Sequence, residues 1–338
     1  MSSYVSDIVG LRAALNTLWD AAISGRTRVT YQAGFNCLCT FLVMNGWFIA
    51  HNSLVPKITE SVLMLFVSHC FTVLGLRYTT VKTYIAGIRY TYLEAGVHSV
   101  FDDASSGSLN RLHLILKGYK KLDTSEAIKR LPITFPILSS IVKKLREGVF
   151  GPYYDAVMEC MCTVAFFAFL RCSEFTCNTG GQSDLNLCIG DILVQSNDKV
   201  IIHLKVSKTD PFRHGVSIPL FATHQNICPV VILRQILTLR RTGKAIASDP
   251  LFVDYNGKPI TRHMFVRDLK VLLERIGLNS QDYNSHSFRI GAATTASSAG
   301  LGEHLIRTLG RWSSDCYMRY IRTPDCILQQ AQASLCHN

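Results

Sequence analysis

The chain has 338 residues, with 35 Lys and Arg against 24 Asp and Glu, and a formal net charge of +11. Its apolar share of 48% and charged share of 17% exclude a disordered chain and are sufficient for about two domains with cores of their own. The longest apolar stretches, residues 62–76 and 157–170, are shorter than the roughly 20 residues that span a bilayer, so no membrane segment is expected.

The positive charge is distributed over the whole chain. The excess of basic over acidic side chains is +5 in residues 1–130 and +6 in residues 131–338. This distribution favours a chain that holds a polyanion between two positive lobes, although a merely basic protein is the simpler alternative. The 12 cysteines form no CxxC pair, so we expect reduced thiols in the core and no metal site.

The first 122 residues are predicted to form an all-α bundle of four or five helices. Apolar residues recur there at helical spacing, and Asn45-Gly46 and Gly96 are typical helix ends. The candidate helices lie at about residues 8–22, 31–42, 61–74, 81–92 and 109–121.

Residues 123–133 are polar, end next to Pro132 and are predicted to be a linker. The second lobe is predicted to be residues 134–338, an α+β domain in which short β-rich runs interrupt a series of helices. The predicted strands of its small antiparallel sheet lie at residues 191–194, 199–208 and 215–220. The predicted helices lie at about residues 134–146, 154–170, 230–241, 262–276, 286–298, 304–309 and 326–334.

One helix of the first lobe carries candidate contacts for a phosphate backbone. Hydroxyl and cationic side chains at helical spacing can bind phosphates, and the alternative is an ordinary solvated helix face. The candidate residues are Thr79, Thr80, Lys82 and Arg89.

Two motifs of the second lobe are suited to binding an anion. Arg171 follows an apolar helix and begins Arg171-Cys-Ser-Glu174, so its charge requires either an anionic ligand or a structural pair with Glu174. His286 and Arg289 stand at positions i and i+3 at the start of a helix, where backbone N–H groups also favour phosphate. The alternative for this second motif is a helix cap with incidental charges.

Three further features each have a plain structural alternative. Lys208 at the tip of a predicted hairpin either reaches over a cleft or only keeps a turn soluble. Trp312 either offers an indole N–H donor to a site or fills the core. Tyr317 and Tyr320 are either candidate nucleophiles or packing aromatics.

Taken together and in chain order, these residues resemble the tyrosine recombinase (phage-type integrase) superfamily. The matching residues are Arg171, Lys208, His286-Ser-Phe-Arg289, Trp312 and Tyr320. The residues within these motifs resemble in particular those of recombinases of eukaryotic DIRS/Ngaro-like mobile elements. The resemblance covers nearly the whole chain. It implies a helical core-binding domain at residues 1–122 and a catalytic domain at residues 134–338.

The resemblance also implies an activity, namely metal- and ATP-independent cleavage and rejoining of DNA strands with no cofactor. Tyr320 would attack a phosphate and form a 3′-phosphotyrosyl enzyme, with His286 as the group that handles its proton. Arg171 and Arg289 would hold the non-bridging oxygens, and Lys208 would protonate the leaving 5′-oxygen.

The remaining assignments depend on spacing. Many members of the superfamily carry His or Trp nine residues before the nucleophile, whereas here Arg311 lies nine and Trp312 eight residues before Tyr320. Trp312 is assigned because an aromatic donor fits the role. Tyr320 is preferred to Tyr317 because Ile-Arg follows it and because it lies further from the preceding glycine turn. Glu174 is assigned to orient Arg171 or His286.

The implied partner is double-stranded DNA, bound by a homotetramer on paired DNA sites with segment 325–338 docking into a neighbouring subunit. In this interpretation the first lobe also binds DNA phosphates through Lys117, Lys120 and Lys121, beside Lys82 and Arg89. The implied compartment is the nucleus in a eukaryote and otherwise the cytoplasm. The alternatives are a domesticated, catalytically silent DNA-binding protein of the same fold, a type IB topoisomerase-like enzyme that relaxes DNA, and a structural protein with a basic surface.

Overall fold

A computed structural model of the chain describes residues 2–47, 55–102, 109–125, 129–177, 186–207, 210, 212, 214–323, 329, 332 and 333. The chain divides into two compact units, Met1–Ala127 and Ile128–Asn338. Each unit has its own hydrophobic core. In the described parts of the chain, no helix combines the length and the apolar character needed to cross a bilayer.

Five helices make up the regular structure described in the first unit, and the predicted helices are confirmed. They are α1 (Ser2–Ala22), α2 (Gly25–Met44), α3 (Glu60–Thr72), α4 (Tyr78–Glu94) and α5 (Asn110–Leu122). The predicted ends at Asn45 and Gly96 are also confirmed, because Asn45 caps α2 and Gly96 takes a left-handed φ of 63° after α4.

Helices α2 and α4 approach each other closely because a glycine faces the partner helix on each side. A Cβ atom added at Gly34 would lie 2.7 Å from the Cα atom of Tyr84, and one added at Gly87 would lie 2.6 Å from the Cα atom of Tyr31. Larger side chains at either position would push the helices apart, so these two glycines determine the spacing of the pair.

Three leucines of helix α1 are exposed. Leu11, Leu15 and Leu18 are 66%, 53% and 68% exposed. The helical spacing of these residues therefore predicted the helix correctly, but the core of this unit is built by the helices that follow α1.

The second unit combines seven helices with a small sheet among its described residues. The helices are α6 (Phe135–Glu147), α7 (Pro152–Phe167), α8 (Cys172–Phe175), α9 (Pro229–Thr242), α10 (Arg262–Arg275), α11 (Ser287–Ser298) and α12 (Glu303–Gly310). The strands are β1 (Ile192–Val194), β2 (Lys199–Leu204) and β3 (Val216–Phe221).

The sheet is antiparallel in the order β1-β2-β3, with Ile192 opposite Ile202 and Val200 opposite Leu220. Its alternate side chains are buried, as expected for a sheet with one face on a core. The predicted fold class, mainly helical with a small antiparallel sheet, is confirmed.

Two predicted elements end earlier than their apolar patterns suggested. Helix α7 ends at Phe167 instead of residue 170, because Phe169 takes a left-handed φ of 49° and turns the chain. Strand β2 ends at Leu204, four residues short of its predicted end.

The last residues of the predicted linker pack inside the second unit. The backbone N–H of Leu131 donates to the Asp282 carbonyl at 2.8 Å, and that of Ile133 donates to the Ser287 carbonyl at 2.9 Å. A Cβ atom added at Gly291 of α11 would lie only 1.7 Å from the Ile133 carbonyl oxygen. A glycine in α11 therefore makes room for this incoming backbone.

Candidate active site

Arg171 and Glu174 are positioned by a single helical turn that begins where the chain leaves α7. Arg171 is the N-cap residue of α8, and its backbone N–H donates to Glu174 Oε2 at 2.8 Å. This carboxylate therefore closes the turn that carries it, in the manner of a capping box. The motif Arg-Cys-Ser-Glu thus folds locally so that both charged groups face the same place.

The Glu174 carboxylate is the centre of the site. Its side chain is 2% exposed and accepts four hydrogen bonds. Oε1 accepts from Arg171 Nη1 at 2.9 Å and from Ser207 Oγ at 3.0 Å. Oε2 accepts from the Arg171 backbone and from Arg311 Nη2 at 2.8 Å. Two guanidinium groups thus share one buried carboxylate.

Arg289 lies beside this cluster and is completely buried. Its Nη1 and Nη2 groups donate to the backbone carbonyls of Phe169 and Gly310. Its guanidinium carbon lies 4.4 Å from the centre of the Trp312 ring, a cation–π contact. The left-handed turn at Phe169 places that carbonyl where it also accepts from Arg311 Nη2 at 3.4 Å.

The site carries more positive than negative charge. Burial and the nearby guanidinium groups of Arg171 and Arg311 lower the pKa of Arg289 to about 9. Burial also lowers the pKa of Arg311, against the opposing effect of Glu174. Three guanidinium groups around one carboxylate form a site that suits an anion such as phosphate.

The Tyr320 ring packs between two aromatic rings of the site. The centre of its ring lies 5.2 Å from that of Trp312 and 5.1 Å from that of His286. The side chain of Tyr320 is half-buried, and its backbone carbonyl accepts from Thr294 Oγ1 at 3.2 Å. The two predicted proton-transfer partners, His286 and Tyr320, are therefore neighbours.

The two candidate tyrosines differ in exposure. Tyr317, inside the 3₁₀ turn Asp315–Arg319, is 1% exposed and packs against Trp312 at 6.1 Å between ring centres. Tyr320 caps that turn and is the more accessible of the two. A nucleophile must reach its substrate, so this difference favours Tyr320.

The structure places Arg311 and Trp312 in different parts of the same site. Arg311 ends α12 with a left-handed φ of 54°, so its side chain points to Glu174 while that of Trp312 covers Arg289. Gly310 makes this turn possible, because a Cβ atom there would lie 1.8 Å from the indole ring.

The other predicted residues are distributed as follows. Lys208 lies outside the described residues, as does most of segment 325–338. In the first unit, Thr79, Lys82 and Arg89 are exposed on α4, where Thr80 is half-buried. Lys117, Lys120 and Lys121 are exposed on α5.

Sequence reasoning missed two parts of the site. Ser207 is buried and donates to Glu174, and the Phe169 carbonyl binds two arginines. Ser207 stands directly before Lys208 in the motif used above, which is the only signal that the sequence offers for it. A backbone carbonyl in a left-handed turn has no sequence signature beyond the turn itself. Among the described residues, no group of three or more His, Cys, Asp or Glu side chains could hold a metal ion.

Comparison with known proteins identifies the fold. No protein-family model matches the chain, and no curated protein matches it. Several solved structures do match the chain. XerH site-specific recombinase bound to a palindromic difH substrate is 19% identical, with 93% of this chain and 80% of that chain covered and a TM-score of 0.62.

Two other structures are similar over comparable lengths. Tn1549 transposon integrase in complex with transposon right end DNA is 14% identical, with 94% of this chain and 95% of that chain covered and a TM-score of 0.55. A lambda integrase dimer bound to a COC′ core site is 10% identical, with 92% of this chain and 76% of that chain covered and a TM-score of 0.54. The chain therefore has the fold of these recombinases, as the resemblance in sequence implied.

Proposed function

We propose that this chain is a site-specific DNA recombinase that cleaves and rejoins strands of double-stranded DNA through a 3′-phosphotyrosyl intermediate on Tyr320. One observation carries the proposal: Arg171 and Arg311 share one buried carboxylate, and the neighbouring Arg289 packs against Trp312, whose ring contacts that of Tyr320. A nucleophile beside a cluster of guanidinium groups is the arrangement that attack on a phosphodiester requires. The structures of similar fold were solved bound to DNA, which supports the same class of substrate.

In the proposed reaction the Tyr320 oxygen attacks phosphorus, a bond from phosphorus to the phenolic oxygen forms, and the bond from phosphorus to the 5′-oxygen breaks. The phenolic proton passes to His286, whose ring lies against that of Tyr320. The 5′-oxygen takes a proton from Lys208 and leaves as a hydroxyl. Arg171 and Arg289 neutralise the charge on the non-bridging oxygens. Attack by a 5′-hydroxyl of another strand reverses these steps and completes the exchange.

Substrate binding in this scheme requires movement of the Trp312 and Tyr320 rings. Arg289 is fully buried below Trp312, so phosphate reaches its guanidinium group only when Trp312 and Tyr320 shift away from it. Both residues lie after the end of α12, and their shift breaks the hydrogen bond from Thr294 to the Tyr320 carbonyl and the packing of Trp312 in the core of this unit.

The complete burial of Arg289 also favours a second candidate, a catalytically silent DNA-binding protein of the same fold. In that protein Arg289 serves only as a structural donor to the Phe169 and Gly310 carbonyls. The two candidates make the same prediction for DNA binding and opposite predictions for covalent chemistry.

Covalent capture on DNA separates the two. Duplexes built from the repeats that flank the coding sequence, nicked next to each candidate cleavage position, would trap a covalent adduct that survives denaturation. We expect an adduct with the wild-type protein and with Tyr317→Phe, and none with Tyr320→Phe. Binding to these duplexes without any adduct from the wild-type protein would support the silent protein, and loss only in Tyr317→Phe would move the nucleophile to Tyr317.

The finer assignments belong to the same proposal. The protein acts as a homotetramer on paired DNA sites, with segment 325–338 docking into a neighbouring subunit. It serves a mobile element of the DIRS/Ngaro kind and works in the nucleus of a eukaryotic host. Deletion of residues 325–338 should impair pairing of two DNA sites more than binding of one, and equal losses would contradict the docking role.

A further inference from the structure

We propose that Arg311 is a positioning residue, which occupies the second oxygen of Glu174 and thereby keeps Arg171 available to the scissile phosphate. This inference rests on the proposed function and concerns the same site. It assigns a specific role to a side chain that holds no substrate, and it explains why a third arginine is buried next to two that suffice for the phosphate.

The Glu174 carboxylate is saturated with hydrogen bonds. An ionised carboxylate offers about four lone-pair positions. In Glu174 all four are taken, two on Oε1 by Arg171 Nη1 and Ser207 and two on Oε2 by the Arg171 backbone and Arg311. Nothing is left on Oε2 for a second nitrogen of Arg171.

Among the described residues, Arg171 uses only one of its three guanidinium nitrogens on the protein. A guanidinium group has five N–H donors, and Nη1 of Arg171 uses its two on Glu174 and Ser207. In the described parts of the chain, no atom accepts a hydrogen bond from Nε or Nη2 of Arg171. The side chain is 17% exposed, so these three N–H groups remain for an oxyanion.

The Arg171 and Glu174 side chains pair through a single hydrogen bond. Arginine and carboxylate usually pair through two parallel hydrogen bonds. The Arg171 guanidinium group contacts Glu174 through one nitrogen only, because Arg311 holds the second oxygen at 2.8 Å. Without Arg311 that oxygen can accept from a second nitrogen of Arg171, and the guanidinium group would turn toward Glu174 and away from the substrate.

Arg311 binds protein atoms through both of its terminal nitrogens. Its Nη1 donates to the Ala168 carbonyl at 2.8 Å, and its Nη2 is shared between Glu174 and the Phe169 carbonyl. The side chain is 12% exposed, and its Nε is buried without a hydrogen-bond partner among the described residues. These contacts tie Arg311 to Glu174 and to the turn after α7, as expected of a positioning residue.

The test is a double-mutant cycle on the rate of adduct formation in single-turnover reactions on the nicked duplex. Arg311→Met should slow the reaction by about 100-fold, the loss typical for removing one oxyanion donor. Adding Glu174→Gln to Arg311→Met should recover at least about tenfold of that loss, because a neutral amide no longer draws Arg171 into a charged pair. A merely structural role for Arg311 predicts the reverse, that the two losses add or compound. Additive losses would therefore overturn the inference.

Arg311→Lys is the conservative control, since it keeps one cation on Glu174 Oε2. Its rate should lie within about tenfold of the wild-type rate, and a rate as low as that of Arg311→Met would count against the positioning role. DNA affinity and thermal unfolding of each full-length variant show whether it folds.

A second readout does not depend on cleavage. A crystal structure of Arg311→Met should show a second nitrogen of Arg171 within hydrogen-bond distance of Glu174 Oε2. If the single contact of the wild type persists, the inference is wrong even where the wild-type protein forms its adduct. If the wild-type protein forms no adduct but Arg171 rotates as expected, the proposed function fails and the positioning role of Arg311 stands.

Discussion

Gly310→Ala tests whether the position of the Trp312 ring depends on the absence of a side chain at the end of α12. The added methyl group would lie 1.8 to 2.5 Å from three atoms of the indole ring, much closer than any real contact. The helix end and the ring cannot both keep their positions. Trp312 is only 7% exposed and lies over Arg289, so the smallest adjustment is rotation of the indole ring out of the site.

The change in the free energy of unfolding follows from the contacts that the Trp312 ring loses. Its cation–π contact with Arg289 contributes about 2 kcal/mol in a desolvated site, and truncation of a buried Trp side chain costs about 3–5 kcal/mol. Hydration of the uncovered Arg289 charge and the helix preference of Ala over Gly, about 1 kcal/mol, both oppose this loss. We therefore expect Gly310→Ala to lower the free energy of unfolding of the second unit by about 1–3 kcal/mol.

Urea unfolding followed by tryptophan fluorescence measures this effect. With Trp19→Phe and Trp47→Phe in place, Trp312 is the only tryptophan of the chain, so its emission reports directly on the site. Gly310→Ala should shift the native emission to longer wavelength and lower the urea midpoint. Gly118→Ala, on α5 of the first unit, is the control for the substitution itself, because no atom lies within 4 Å of its added Cβ; it should change neither the Trp312 emission nor the urea midpoint of the second unit. Unchanged emission and stability in Gly310→Ala would refute the reasoning.

Three other outcomes follow from the structure. Gly87→Ala should destabilise the first unit by about 1–3 kcal/mol in urea unfolding, because its Cβ would meet the Tyr31 backbone at 2.6 Å; a stabilised variant would show that α2 and α4 can separate freely. Because the pKa of Arg289 is lowered from 12.5 to about 9, the folded protein loses the Arg289 proton above about that pH while the unfolded chain keeps it. The free energy of unfolding of the wild-type protein should therefore rise with pH relative to that of Arg289→Met. The rise should approach about 1.4 kcal/mol per pH unit, and parallel curves between about pH 8 and 10.5 would contradict it. Lys82→Ala should weaken DNA binding equally for all sequences and reduce the slope of log affinity against log salt by about 0.9, whereas an unchanged slope would remove Lys82 from the interface.

Local patterns predicted most of the elements of this fold. Helical spacing of apolar residues predicted the helices of the first unit, and short β-rich runs broken by turn residues predicted the three strands of the second. These patterns work because the periods of helix and strand act over a few residues. They failed where a turn depends on tertiary packing. The apolar run after residue 163 carried no sign that Phe169 would turn left-handed and end α7 early.

The residue types of the site could also be predicted from the sequence. Four of them, Arg171, His286, Arg289 and Tyr320, lie in motifs whose order resembles a known superfamily. The contacts between the two arginine-bearing segments could not be predicted, because Arg171 and Glu174 lie more than 100 residues before Arg289 and Arg311. Spacing along the chain left Arg311 and Trp312 as alternatives for one position. The left-handed residue at the end of α12 gives them separate positions, one on the Glu174 carboxylate and one over Arg289. A single backbone dihedral at the end of a helix, held by packing that no local pattern encodes, thus determines which side chain lies at each position in the site.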